Sequence, residues 1–125
     1  MPEIPTVNWP EERGQYKFVQ LDLGDGPYLR FGGNIQKGSG GYHSRILSGF
    51  LDEQGIGYEL IGNKQKNPAL KGSGYTVRGM GSATIDFDGR MAFFGGNSVD
   101  YNLGPDKEHL QKIAEKEPEW RFIFF

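Results

Sequence analysis

There is no cysteine in this chain, and histidine occurs only twice, at His43 and His109. The first absence removes disulfides, thiolate metal sites and every mechanism that needs a cysteine nucleophile. The second leaves few candidates for proton transfer near neutral pH, because histidine is the side chain whose ordinary pKa lies there. Long apolar runs are missing too: no stretch approaches the roughly 20 residues of a membrane-spanning helix. Met1-Pro2-Glu3-Ile4-Pro5 has neither the basic nor the apolar character of a signal peptide. A formal charge of −2 argues against a general nucleic-acid binder, which carries a basic balance or a basic stripe. The expectation is a soluble, cytoplasmic monomer with neither nucleic acid nor membrane as partner.

What is present fits one domain of 125 residues, large enough for a sheet-and-helix core and one active site. All 20 glycines lie between Gly14 and Gly104, so the middle of the chain is rich in tight turns or in backbone that approaches a ligand closely. Residues 1–14, with Pro2, Pro5 and Pro10, read as an extended lead-in anchored by Trp9, and residues 15–125 as the domain proper. Residues 16–23 alternate as a strand with Lys17 facing away from Tyr16 and Phe18; residues 28–31 return as its partner. A helix is predicted over residues 41–54, stopped by Gly55-Ile56-Gly57. Short strands follow at 58–61 and 75–78, flanking a basic loop over 62–74 that holds Lys64, Lys66 and Lys71. Asp88-Gly89 predicts a two-residue hairpin turn between strands 83–87 and 90–94. Pro105 opens a second helix with Leu110, Ile113 and Ala114 inward and His109 on its surface, and residues 120–125 form an aromatic strand.

His43 follows Gly38-Ser39-Gly40-Gly41-Tyr42 and precedes Ile46, Leu47, Phe50 and Leu51, which places its ring in the first turn of an amphipathic helix. Two readings fit. The ring is a hydrogen-bonded structural group, or it works beside the unpaired N–H groups and positive dipole end of the helix. Such an end attracts anions and disfavours a second positive charge, leaving a neutral imidazole able to accept a proton. Ser98 lies in a polar loop whose successive N–H groups suit either an anion nest or an ordinary turn. Neither a phosphate-loop nor a dinucleotide signature occurs, and the two histidines share no ligand spacing for a metal. Ile85-Asp86-Phe87-Asp88-Gly89 resembles the aspartate motif of haloacid-dehalogenase-type phosphatases. Too little chain follows it for their parallel sheet, and the turn explains it more simply.

Taken in order, the segments resemble the phosphohistidine phosphatases of the Janus/Ocnus family. The resemblance runs through Tyr16-Lys17-Phe18-Val19, Tyr42-His43, Phe93-Phe94-Gly95-Gly96-Asn97-Ser98, Gly104-Pro105, Lys112-Ile113-Ala114 and Glu117-Pro118-Glu119-Trp120, spanning roughly residues 15 to 122. It implies an α+β fold, a mixed sheet of about six strands with two main helices packed on it. It also implies hydrolysis of N-linked phosphate, phosphohistidine foremost, on protein substrates and with no metal or other cofactor. His43 would be the general base. Lys17, Tyr42 and Arg30, with Asn97, Ser98, Val99 and Asp100 of the glycine loop, would contact the phosphoryl group. The chain departs from the family pattern at Asn97, at Asp100, at Thr84 in place of an arginine, and in the length of the 62–74 loop. A non-catalytic module that binds phosphorylated or acidic segments is the alternative the same residues allow.

Overall fold

The computed structural model describes residues 4–38, 41–61, 69–98 and 101–124. The chain is α+β. Its mixed sheet has five strands: β1 (Gly14–Leu23), β2 (Gly26–Phe31), β5 (Thr76–Asp86), β6 (Met91–Gly95) and β7 (Arg121–Phe124), in the order β2-β1-β5-β6-β7. Only the β6–β7 pair is parallel, joined through α2 (Lys107–Glu115). A separate two-stranded ribbon pairs β3 (Glu59–Ile61) with β4 (Ala69–Lys71), so part of the predicted 62–74 loop is strand. Lys64 and Lys66 lie outside the described residues.

Strand alternation sorts the core into two faces. Tyr16 and Phe18 of β1, Leu29 and Phe31 of β2, and Ala83 and Ile85 of β5 pack with Leu110 and Ile113 of α2. The intervening residues Val19, Leu21, Tyr28 and Met80 pack with Leu47, Phe50 and Leu51 of α1 (His43–Glu53) on the other face. Side chains that point alternately up and down a strand require a cover on each face, and the two helices supply one each. Each fully buried Leu or Phe stabilises the fold by roughly 1.5–3 kcal/mol. The lead-in segment is tied down as predicted for Trp9, whose ring stacks on Trp120 with centroids 3.7 Å apart.

Several local expectations are corrected. The segments predicted as strands 75–78 and 83–87 belong to one strand, β5, through Gly79-Met80-Gly81. Gly79 lets the Gln20 amide, the Asp106 nitrogen and the Gly104 carbonyl approach to within 2.6–2.9 Å of where a Cβ would stand. The hairpin closes at Asp86↔Met91 rather than across Asp88-Gly89, giving a four-residue turn with Arg90 at φ 55. Asp86 itself organises that turn, since its carboxylate accepts the Gly89 N–H at 3.1 Å. The second helix starts after Asp106, not at Pro105; the Asp106 carboxylate caps it by accepting the His109 N–H. His109 is buried rather than on the surface.

Candidate functional site

Helix α1 covers only part of its sheet face. Beyond its N-terminus, the register aligns two rows of residues on that same face: Lys17↔Ser82↔Gly95 and Gln15↔Thr84↔Phe93. Gln15, Ser82 and Thr84 are exposed, and Lys17 is half-buried. A cleft of about 280 Å³ is lined by Gln15, Ser82, Thr84, Gly95 and Gly96, with Ile35, Ala83 and Phe93 as its apolar members. A polar, glycine-floored sheet face with one ammonium group beside it is suited to an anion rather than to an apolar ligand.

The first residue of α1 stands at this edge. His43 is buried, and its Nε2 lies 2.9 Å from the carbonyl oxygen of Gly81, the residue next to Ser82. A carbonyl only accepts, so Nε2 carries a proton. Tyr42 is the N-cap of α1, and the Lys17 ammonium sits over its ring, 5.3 Å from the centroid. Lys17, Tyr42, His43 and Gly81-Ser82 therefore meet in one place. Gly81 itself is forced to be glycine, because a Cβ would collide with the Gly95 carbonyl where β6 approaches β5.

The loop after β6 forms the next wall. Gly96 takes φ 68 directly over Ser82, where a Cβ would stand 2.6 Å from Oγ. Two residues on, buried Ser98 and Leu103 exchange backbone hydrogen bonds, with Ser98 N donating at 2.7 Å and Leu103 N at 3.1 Å. The Ser98 N–H is thus engaged inside the loop, and the Ser98 hydroxyl accepts the Tyr101 N–H at 3.4 Å. Asn97 is exposed beside it, while Val99 and Asp100 lie outside the described residues.

Arg30 stands elsewhere. Its guanidinium donates to the carbonyls of Pro5 (2.6 Å), Thr6 (3.0 Å) and Leu29 (2.8 Å) and lies 4.3 Å from the Phe50 ring centroid. Burial is the main reason its pKa falls to about 10. Phe50 lies almost two helical turns from His43, so Arg30 is not gathered into the Lys17–His43 cluster.

The other face carries a network that sequence reasoning missed. Gln20 accepts the Asp106 N–H with Oε1 (2.9 Å) and donates from Nε2 to the Asp106 carbonyl (3.0 Å), which orients its amide. The same Nε2 faces Nδ1 of His109 at 2.9 Å, so His109 keeps its proton on Nε2 and donates it to Asp22 at 2.8 Å. Arg78 holds the second Asp22 oxygen at 2.9 Å. This chain fastens α2 and the end of the 96–106 loop to β1, behind the cleft. Gln20 shares the face of Tyr16 and Phe18, and its partner on a distant helix has no sequence signal. Ser82 was missed because the Lys17↔Ser82 register is non-local.

Among the described residues no three His, Asp or Glu side chains gather in a way that could hold a metal ion, and no helix is long and apolar enough to cross a membrane. No protein-family model and no curated protein matches this chain.

Proposed function

We propose that the protein is a metal-independent phosphatase for N-linked phosphate, phosphohistidine foremost, of the Janus/Ocnus type. The observation that carries this reading is the position of His43, anchored on the Gly81 carbonyl at the edge of the Lys17–Ser82–Gly95 row. A phosphoryl group on that row meets the Lys17 ammonium and the Ser82 hydroxyl. His43 takes a proton from water as the water oxygen attacks phosphorus and the P–N bond breaks. The electron pair stays on the departing nitrogen, and because the phosphohistidine ring carries a proton on its other nitrogen it leaves as a neutral imidazole, so little further acid catalysis is required. Lys17 stabilises the negative charge on the phosphoryl oxygens as the bond breaks.

A binding module without turnover is the second reading, and one observation favours it. The Ser98 N–H is already given to Leu103, which removes one donor from the nest that would cradle a phosphoryl group. Release of inorganic phosphate from phosphohistidine, followed by ³¹P NMR, separates the two readings. A phosphatase turns over many equivalents; a binder perturbs the phosphorus signal and releases none.

A further inference from the structure

A second, larger cavity lies along α1 itself. This groove of about 1010 Å³ runs between the helix and the lead-in segment, from Gly41, next to Tyr42, to Gln54. At 1.5 Å per helical residue that is about 20 Å, the length of about six residues of extended chain. Gly32 and Gly33 contribute to one side and Gly49 of α1 to the other, between apolar side chains that include Ile46, which stands 2.9 Å from where a Gly32 Cβ would be. A Cβ added at Gly49 would meet nothing within 4 Å.

The groove carries one exposed cation near His43, and a second cation beside Phe50. Arg45, in the first turn of α1, is exposed, and Arg30 lines the wall while only 6 % exposed. All the hydrogen bonds Arg30 makes go to backbone carbonyls, and among the described residues no carboxylate lies within ion-pair distance of it. Carbonyls satisfy its N–H groups, and Glu53 of the same lining is the nearest acidic influence on its charge. Glu53, the one acidic residue of the lining, stands at the last residue of α1, away from the His43 end. An extended segment entering at the Gly41 end would therefore meet Arg45 first, and Arg30 with Glu53 only toward the far end.

We infer that this groove docks the acidic residues that flank the phosphorylated side chain of a protein substrate, with Arg45 as a specificity-determining residue. The inference rests on the phosphatase reading and adds to it a preference for polypeptide over small phosphoramidates. Two variants test it against two substrates, a phosphohistidine peptide with acidic flanks and free phosphohistidine. Leucine at position 49 favours the helix over glycine, so Gly49→Leu fills the groove while keeping α1 intact. The expected result is about a tenfold rise in KM for the peptide with Gly49→Leu or Arg45→Glu, and unchanged hydrolysis of free phosphohistidine. Equal effects on both substrates, or none on either, overturn the inference, as does a change of oligomeric state with Gly49→Leu, which would mark the groove as a self-association surface. An NMR titration with the unphosphorylated acidic peptide separates the two ideas. Shifts at Gly32, Gly33, Arg45 and Gly49 support docking even if the protein hydrolyses neither substrate, in which case the phosphatase reading alone falls; their absence counts against docking whatever the turnover.

Discussion

The two histidines of this chain are almost equally hidden, His43 5 % and His109 4 % exposed, yet they sit in opposite kinds of environment. His109 lies on the face that α2 covers, with Gln20 on one ring nitrogen and Asp22 on the other. His43 has a backbone carbonyl on Nε2 and stands where α1 stops covering its face, beside an exposed row of lysine, hydroxyls and glycines. Burial alone therefore does not separate the two. They differ in the neighbouring surface, which beside His43 includes the exposed Ser82 and Thr84. The same contrast holds for the two cations near α1: Arg30 is spent on the carbonyls of the lead-in segment, while Lys17 reaches the open row.

The sharpest break of this comparison is a pair of alanine variants. His43→Ala is expected to lower the rate of phosphohistidine hydrolysis by about 10²–10⁴, the range for loss of a general base, and to cost about 1–2 kcal/mol in unfolding because the Gly81 carbonyl loses its partner. His109→Ala is expected to cost more, about 2–4 kcal/mol in denaturant unfolding because Gln20 and Asp22 lose buried partners, while activity per folded molecule persists. If the two variants behave alike, the distinction between the faces is wrong. Next in size, Lys17→Ala should raise KM about tenfold with stability within about 0.5 kcal/mol of the parent, as steady-state kinetics and thermal melts would read. Gly81→Ala sharpens the geometry: its Cβ would push β6 off β5 at Gly95, so a loss of about 1–3 kcal/mol should accompany reduced activity.

The smallest effect concerns acid. Asp86 sits below its ordinary carboxylate pKa, first because the Gly89 N–H donates to it and then because Arg13 lies close. A group whose folded pKa is depressed contributes stability above its unfolded pKa and loses it as pH falls through the folded value. Asp86→Asn should therefore lower stability slightly at neutral pH and flatten its decline below about pH 4, so that variant and parent converge in acid when urea unfolding is followed at a series of pH values.

Periodicity made much of the architecture legible. Alternation over Tyr16, Lys17 and Phe18 placed the lysine on the face opposite the aromatic core, and the spacing of Leu47, Phe50 and Leu51 placed His43 at the start of α1. Local signals failed where long-range pairing decided the outcome. Gly79-Met80-Gly81 reads as a break between strands, yet pairing along β1 carries β5 straight through it. Asp88-Gly89 has the composition of a tight primed turn, but Asp86 captures the Gly89 N–H and the wider turn wins. His109 looked like a surface residue because the polar partners that justify burying it, Gln20 and Asp22, are some 87 to 89 residues away in the chain. Ser82 beside Lys17 is likewise a consequence of pairing that no short window contains.

The most direct test of the contrast between the two histidines is phosphate release from phosphohistidine by the parent protein and by His43→Ala, each checked for a native melting transition. The account predicts multiple turnovers from the parent, about 10² or more fewer from His43→Ala, and near-parental turnover from folded His109→Ala. Equal release by the parent and a folded His43→Ala would contradict it.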